Sequence, residues 1–219
     1  AIPHIVGSAP KVVVSEWIEG KPLAEIIRNG TQDERDLCGT RLFELTFDAP
    51  ARVGMMHGDA HPGNFMLRDD GKMVVIDFGA VAPLPDGLPI EMGMMIRLAM
   101  ERQYDLLMPT MEKVGFIQKG EQISVADVDE MLAQYVEPVE VPVFHYTRKW
   151  LQKHAAANME RTPQNLKMAR QMDLPPGLAI PLRVIASNVA ISCQLDCHVP
   201  VREMAERLIP GFAEPQPVI

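Results

Sequence analysis

The segment HGDAHPGN, residues 57–64, places two histidines, an aspartate and an asparagine within eight residues. A polar segment of this composition suggests a metal site, a nucleophile site or half of a site that handles phosphate. The tripeptide DFG follows at residues 77–79, so that Asp77 comes thirteen residues after Asn64. Phosphoryl transfer needs one carboxylate to accept or orient a proton, and an amide oxygen and a second carboxylate to hold Mg²⁺ against phosphates. Asp59, Asn64 and Asp77 supply these three groups.

The spacing of these groups follows the pattern of kinase catalytic segments, in which an aspartate precedes an asparagine by five residues and a DFG aspartate comes later. Two short strands are predicted between the motifs, at residues 65–68 and 73–77, with DDGK at 69–72 as their hairpin turn. Because a hairpin brings the start of its first strand beside the end of its second, we expect Asn64 and Asp77 to lie side by side. The two motifs then form one site.

Other elements must hold this hairpin in place. Residues 11–17 are rich in β-branched side chains and are flanked by a proline and a glycine, which predicts a strand. Pro22 is expected to open a short helix that runs through Arg28. Thr31 and Glu34 have the spacing of a capping box, which predicts the start of a longer core helix.

The second half of the chain is predicted to be helical, from Leu88 onward. Ser124 and Thr162 are suitable N-caps for two of these helices. The expected fold class is therefore α+β and mostly α, with a small β-hairpin at the polar loop. The predicted helices span residues 88–102, 104–115, 124–136, 143–159, 163–172, 178–196 and 200–209.

The composition is that of an ordinary globular protein, with 47% hydrophobic and 23% charged residues. The net charge of -8 argues against nucleic-acid binding, which needs a basic face, although a metal ion can still neutralise the phosphates of a nucleotide. The three cysteines are few and odd in number, which suggests a reducing compartment. The longest apolar stretch, residues 174–195, is too polar for a lipid-facing helix. Because the chain starts at Ala1, we interpret it as a piece of a longer protein or as a processed one.

Two smaller clusters each allow two interpretations. Cys193, Cys197 and His198 suggest a metal site, but the usual zinc spacing and a second ligand pair are missing. We therefore expect the two cysteines to share one face of a buried helix. A methionine cluster lies in the first two predicted helices of the second half of the chain. It either fills the core or forms a pliable surface for a lipid or partner, and the periodicity of the sequence does not distinguish these two interpretations. The cluster consists of Met92, Met94, Met95, Met100, Met108 and Met111.

HGDAHPGN followed by VVIDFG resembles the UbiB/AarF family of atypical kinases, also called ADCK proteins, whose usual pattern is H-x-D-x-H-P-G-N and then D-F-G. SEWIEGKPL upstream and DFGAVAPLP, VGFI, RKW, LPP, CQLD and LIPGF downstream are similar to actinobacterial members. The resemblance covers nearly the whole chain and implies a protein-kinase-like C-terminal lobe with a helical extension. It divides the chain into a strand and hinge segment at 1–20, a kinase-like C-lobe at 21–115 and a helical extension at 116–219.

The resemblance implies a role for each residue of the two motifs. Asp59 would be the catalytic aspartate, and Asn64 and Asp77 would hold Mg²⁺ beside ATP. His61 lies where many kinases have a lysine, and would contact the transferred phosphate or the substrate. The loop would be supported by His57, Pro62, Gly63, Phe78 and Gly79, and the adenine would be bound through the backbone of Glu16, Trp17 and Ile18.

Several parts of a complete kinase are missing from the sequence. It contains no G-x-G-x-x-G loop, V-A-I-K-like strand or K-x-G-Q motif, and only ten residues precede the first predicted strand. An N-terminal lobe is therefore expected to be supplied in cis from outside this chain. Gly58 replaces the arginine of H-R-D, which argues against switching by activation-loop phosphorylation, and no A-P-E motif is present. The isolated chain is expected to be an inactive C-lobe.

The resemblance further implies ATP hydrolysis or phosphorylation of a small molecule or lipid, linked to quinone and lipid metabolism. The expected partners are a nucleotide and an unidentified small-molecule or lipid acceptor, and nucleic acid is not among them. The acidic charge and the absence of a spanning segment suggest a cytoplasmic protein that visits a membrane surface.

Two other functional hypotheses stay open. Aminoglycoside- and choline-kinase-like phosphotransferases use a similar H-G-D loop, although DFG and the lack of a G-D-P-x-x-D-L run favour the first interpretation. A non-catalytic pseudokinase or interaction module is suggested by the missing lobe, whereas the intact Asp59, Asn64 and Asp77 argue against it.

Overall fold

Short strands and longer helices make up the computed structural model, which describes residues 1–159 and 162–213. In chain order the strands are β1 (Ile5–Ala9), β2 (Val12–Ser15), β3 (Lys21–Pro22), β4 (Met55–His57), β5 (Phe65–Leu67), β6 (Met73–Val75), β7 (Val81–Pro83), β8 (Phe144–His145) and β9 (His198–Val199). The helices are α1 (Leu23–Asn29), α2 (Gln32–Val53), α3 (Ile90–Met100), α4 (Tyr104–Val114), α5 (Val125–Glu140), α6 (Arg148–Met159), α7 (Pro163–Gln171), α8 (Pro176–Leu195) and α9 (Val201–Leu208). The predicted α+β, mostly α class is confirmed.

The predicted hairpin at the polar loop is confirmed. Strands β5 and β6 are antiparallel, with Phe65 opposite Val75, and β3 pairs with the other edge of β5. The Ile76 N–H donates to the Asn64 carbonyl over 3.0 Å. The residue that enters the hairpin therefore lies beside the residue that precedes Asp77, as the strand geometry predicts.

Helix α2 connects the hairpin region to the helical core. The predicted capping box is confirmed, because Thr31 Oγ1 accepts from the Glu34 N–H and Glu34 Oε2 accepts from the Thr31 N–H. The helix ends at Gly54, whose left-handed φ of 64° turns the chain directly into β4. Since α2 packs against α8, α9 and β4, the polar loop that follows β4 is attached to the core.

Helix α8 is a core helix. It is the one described helix with the length and mean hydropathy (1.5) for crossing a membrane, yet 50% of that window is buried inside the fold. It packs against α2 and α6, and Asn188 donates a hydrogen bond to Thr46 of α2. Two buried polar groups that satisfy each other fit a helix–helix contact within a protein core.

The downstream helices match the prediction except near residues 143–147. Ser124 and Thr162 cap α5 and α7 as expected. Helix α5 continues to Glu140. Val141 is extended because it precedes a proline, and a residue in that position disfavours the helical conformation. The predicted helix over 143–159 begins only at Arg148.

A strand replaces the first turn of that predicted helix. Phe144 of β8 pairs with Val199 of β9, and the Tyr146 N–H donates to the Cys197 carbonyl over 2.9 Å. The pairing joins residues more than fifty positions apart in the sequence. Local periodicity carries no information about such a contact, which explains the error.

The first strand begins earlier in the sequence than predicted. The segment at 11–17 does contain β2, but β1 precedes it and pairs with it as an antiparallel hairpin. The first strand therefore starts at Ile5. Every residue of both strands is exposed, although two-stranded hairpins are marginally stable without a packing partner.

The cysteine cluster is not arranged as predicted. Cys193 lies in α8, but Cys197 follows the end of that helix because Asp196 adopts a left-handed conformation with φ 55°. The two thiols therefore do not share a helix face. All three cysteines are free and buried, and burial raises the pKa of each thiol to about 12, which keeps them neutral.

Candidate functional site

The loop at residues 57–64 is joined to the DFG segment at two places. Strand β4 pairs with β7 so that His57 lies opposite Val81, and the Gly58 N–H donates to the Ala80 carbonyl over 2.8 Å. The β5–β6 hairpin connects the far end of the loop to the start of DFG. The fold thus brings the two motifs together, as their spacing predicts.

Asn64 orients the carboxylate of Asp59. Its Nδ2 donates to Asp59 Oδ2 over 3.0 Å and to the Asp59 carbonyl over 3.1 Å. Because both acceptors require the amide nitrogen, the amide oxygen of Asn64 is left free for another partner. Asn64 is only 9% exposed, so the surrounding fold holds this geometry.

His57 supports the DFG backbone. Its Nε2 donates to the Asp77 carbonyl over 2.7 Å, and its ring packs 5.5 Å from the ring of Phe65 and 5.6 Å from that of Phe78. The ring of His57 is therefore held on three sides. Its imidazole bonds to the backbone of Asp77 and makes no hydrogen bond with the Asp77 carboxylate.

Asp77 is oriented by the glycine of DFG. Its Oδ1 accepts from the Gly79 N–H over 2.7 Å, which is the turn that an aspartate makes with the backbone two residues on. One carboxylate oxygen is thereby occupied, while Oδ2 has no hydrogen bond among the described residues. Asp77 is exposed, so this second oxygen is open to a ligand.

His61 shapes the turn that presents Asn64. Its Nδ1 accepts from the Gly63 N–H over 3.0 Å, and its carbonyl accepts from the Asn64 N–H over 3.0 Å. Pro62 begins the short 3-10 helix Pro62–Asn64 that these bonds enclose. One ring nitrogen is therefore used within the loop, and only Nε2 is left for a phosphate or substrate.

The oxygen atoms available here fit Mg²⁺. Asn64 offers its amide oxygen and Asp77 a carboxylate oxygen, and Mg²⁺ prefers hard oxygen ligands and keeps further positions for water and phosphate. Among residues 1–159 and 162–213, no group of three or more histidine, cysteine or acidic side chains could hold a metal ion. A metal held by the protein at this site would depend on an amide and on phosphate oxygens as well.

The segment expected to bind adenine lies at the end of the exposed hairpin. Glu16 pairs with His4 through backbone and side-chain hydrogen bonds of 2.9 and 3.1 Å. Trp17 is 89% exposed. No hydrogen bond joins this segment to Asp59, Asn64 or Asp77 in the part of the chain that the structure describes, so its role stays a prediction.

Arg183 is a site contact that sequence reasoning missed. It lies on α8, and its Nη2 donates to the Gly58 carbonyl over 2.9 Å. The two residues are 125 positions apart, so no motif spacing could reveal the contact. The carbonyl groups of Gly58, Asp59 and Asp77 are thus each held by a side chain from elsewhere in the fold or loop.

A cavity of about 610 Å³ borders the site at His57 and Phe78. Its other walls come mainly from α2 and the chain start, and Asp59, Asn64 and Asp77 do not line it. The space is therefore adjacent to the two motifs but does not reach these three side chains.

Comparison with protein families identifies the first half of the chain. Residues 1–110 match the model of the ABC1 atypical kinase-like domain. Two chloroplast proteins of Arabidopsis thaliana are similar: ACTIVITY OF BC1 COMPLEX KINASE 3 is 33% identical over 35% of this chain, and ACTIVITY OF BC1 COMPLEX KINASE 1 is 30% identical over 52% of it. The aligned regions amount to only 11% and 17% of those two proteins.

A solved structure extends the similarity to the helical half. Rv3197 from Mycobacterium tuberculosis, described as a complex with erythromycin, matches with a TM-score of 0.90 and 67% identity. The match covers 97% of this chain and 53% of that one. The chain therefore spans about half the length of its solved relative.

Proposed function

Because the chain belongs to the ABC1 atypical kinase-like family, we propose that it supplies the catalytic-loop half of a site for Mg²⁺-dependent ATP hydrolysis or phosphoryl transfer. The observation that carries this proposal is the pair of hydrogen bonds from Asn64 Nδ2 to Asp59. An aspartate that only forms a turn does not require a nearly buried amide to orient its carboxylate. An aspartate that accepts a proton from an acceptor hydroxyl or a water does require a fixed orientation.

Each residue of the loop and of the DFG segment has its own role in this proposal. Asp59 Oδ2 is held by Asn64, and Oδ1 accepts or orients the proton of the attacking hydroxyl or water. His57 and Gly79 set the orientation of Asp77, whose free oxygen and the amide oxygen of Asn64 would hold Mg²⁺. When bound, the metal neutralises charge on the phosphates.

The rest of the nucleotide site is proposed to come from outside this chain. The sequence has no glycine-rich loop and no V-A-I-K-like strand, and every residue of strands β1 and β2 is exposed. Both observations support an N-terminal lobe that covers the hairpin and the phosphates. The acceptor is proposed to be a small molecule or lipid, as in the quinone-linked role that the family resemblance implies.

Nucleotide binding tests the first half of the proposal. Titration of the full-length protein with ATP, with and without Mg²⁺, should show Mg²⁺-dependent binding that Asp77→Ala removes and Asp59→Asn retains. Asp70→Asn, in the exposed turn between β5 and β6, is the matched control and should bind as the wild type does. Binding that ignores Mg²⁺, or that all three variants retain equally, would overturn the proposal.

Acceptor preference separates the remaining enzymatic alternatives. The full-length protein should be assayed for ATP turnover with phenolic lipids, amino-sugars and choline. Stimulation by phenolic lipids alone supports the proposed class, whereas stimulation by amino-sugars or choline supports the aminoglycoside- or choline-kinase-like alternative.

Macrolide binding is a second candidate function. It is favoured by one observation, the 67% identity and TM-score of 0.90 to Rv3197, whose structure is described as a complex with erythromycin. Calorimetric titration of the chain with erythromycin tests it directly. Saturable binding is expected, and its absence at the solubility limit of the drug would remove this candidate.

A further inference from the structure

An apolar cavity of about 230 Å³ lies between helices of the core and is partly open to solvent. Its walls come from helices α2, α3, α5 and α8, with further residues from the neighbouring segments. No residue of the loop at 57–64 or of DFG at 77–79 lines it. The cavity is therefore separate from the candidate nucleotide site.

A cavity of this volume is unusual in a well-packed core. Protein interiors approach the density of organic crystals and contain few voids larger than a water molecule. An engineered apolar cavity of about 150 Å³ in another protein stays dry and binds benzene. The larger space here has room for more than one ring, or for a hydrocarbon chain of similar volume.

The lining of the cavity favours an uncharged ligand. No aspartate, glutamate, lysine, arginine or histidine is among the side chains that line it. Three members of the methionine cluster, Met92, Met95 and Met111, are buried and lie in its wall. Buried methionine is core filling, as one of the two interpretations of the cluster predicted. These flexible side chains also let the wall adapt to the shape of a guest.

Tyr146 supplies a polar group at the cavity wall. It is 1% exposed and lines the cavity, and its hydroxyl has no hydrogen-bond partner among the described residues. Burial raises its pKa well above the ordinary value, so it stays a neutral donor. The hydroxyl proton is therefore free to bond a water or a ligand oxygen in the cavity.

We propose that this cavity binds an uncharged, hydrocarbon-rich small molecule whose single oxygen accepts a hydrogen bond from Tyr146. Two ligand shapes fit the volume, a medium-length chain or a pair of rings. Both share the same chemistry, an apolar body with one acceptor and no charge. The site is independent of the proposed phosphotransfer function, because its walls exclude the loop and the DFG segment.

Trp150 provides a direct reporter of binding. Its ring lies 5.7 Å from the ring of Tyr146, and the other of the two tryptophans, Trp17, can be replaced by phenylalanine. The Trp17→Phe chain should be titrated with 1-decanol and with 4-phenylphenol while the Trp150 emission and the melting temperature are recorded. A saturable emission change and a higher melting temperature are expected with at least one probe. Whichever probe binds more tightly identifies the chain or the ring form of the ligand.

Charge and cavity volume supply the controls. Decanoate at neutral pH carries the same chain with a charge and should bind at least about ten-fold more weakly than decanol. Val189→Phe and Leu182→Phe fill the cavity from α8 and should weaken binding about ten-fold or more. Leu106→Phe, on the exposed side of α4, should leave binding unchanged.

The hydrogen bond has its own variant. Tyr146→Phe keeps the ring and should weaken decanol binding by about five-fold, the effect of one neutral hydrogen bond. No saturable signal with either probe in the folded chain overturns the proposal. So does wild-type affinity in both filling variants, which would place the probes elsewhere on the protein.

Discussion

At the scale of single residues, the feature that decides the site is the relation between Asn64 and Asp59. The spacing of five residues predicts that both belong to one loop. The structure adds that the amide nitrogen of Asn64 faces two oxygens of Asp59. Asn64 thereby holds the catalytic candidate with one end of its amide, and the oxygen at the other end is free for the proposed Mg²⁺.

Replacement of Asn64 by aspartate tests this relation. Asn64→Asp places a second carboxylate about 3 Å from Asp59 Oδ2, where like charges raise the pKa of one member of the pair. The variant should lose about 1–3 kcal/mol of unfolding free energy at pH 7.5. Because the raised pKa is in the folded state, the loss should shrink as the pH falls and a proton restores the hydrogen bond.

Urea unfolding at pH 7.5 and at pH 5 measures this effect. Gln152→Glu, on the exposed face of α6, adds the same charge and serves as the control. An equal loss of stability at both pH values would contradict the like-charge explanation.

At the scale of elements, helix α8 connects the core to the polar loop. Helix α8 reaches the polar loop through Arg183, which donates to the Gly58 carbonyl. Gly58 stands where protein kinases have the arginine of H-R-D. The fold thus brings an arginine to the same part of the loop from a distant helix.

Arg183 is expected to act as a positioning residue for the loop. Arg183→Met keeps the apolar stem but removes the hydrogen bond to Gly58, so that the backbone beside Asp59 should open more often. Hydrogen exchange of a peptide covering residues 57–64 should become about three- to ten-fold faster, while global stability changes by less than about 1 kcal/mol. Arg170→Met on α7 is the control. Unchanged exchange in this peptide would show that the contact does not restrain the loop.

Helices α5 and α6 are joined by a hydrogen-bonded carboxylate. Partial burial raises the pKa of Glu137, but hydrogen bonds from Trp150 and His154 and the charge of Lys153 outweigh it, so its pKa lies below the usual 4.5. A depressed folded-state pKa means that this carboxylate stabilises the fold above its unfolded pKa and stops doing so as the pH falls through the folded value.

Glu137→Gln should therefore lower the unfolding free energy by about 1 kcal/mol at pH 7, and by less as the pH falls below about 4.5. Thermal unfolding from pH 7 to pH 3.5 measures the difference. Glu130→Gln on the same helix, which takes part in no ion pair among the described residues, is the matched control. A loss of unfolding free energy that becomes larger as the pH falls would contradict this explanation.

At the scale of the whole molecule, the chain combines a buried helical core with an exposed N-terminal hairpin. The core is one cluster of buried side chains that extends from α1 to Phe212. The β1–β2 hairpin, in contrast, is exposed on both faces. The chain spans about half the length of its solved relative Rv3197, and we propose that the activity of the whole protein needs groups from outside these residues.

We expect this chain alone to turn over Mg-ATP at least about 100-fold more slowly than the full-length protein, because groups that cover the phosphates contribute strongly to catalysis. Phosphate release by residues 1–219 and by the full-length protein measures the ratio. Asp59→Asn and Asp77→Ala show which part of any turnover belongs to the site. Robust turnover of the short chain that both variants abolish would contradict the expectation.

Much of the local structure was determined by the sequence alone. The capping box at Thr31, the N-caps at Ser124 and Thr162 and the β5–β6 hairpin each depend on residues a few positions apart, so composition and spacing suffice to predict them. The proximity of Asn64 to Asp77 could be predicted in the same way, because the hairpin between them brings its two ends together. Asp59 belongs to the same loop as Asn64.

The contacts that only the tertiary structure decided join distant parts of the chain. They include the bond from Arg183 to Gly58, the β8–β9 pairing that replaces a predicted helix turn, and the cavity beside Tyr146. Each depends on how helices pack, and packing is governed by the summed shapes of many side chains rather than by the type or spacing of any pair. For this protein the sequence therefore determined which groups are candidates for chemistry, and the packing of α2 and α8 decided what holds them.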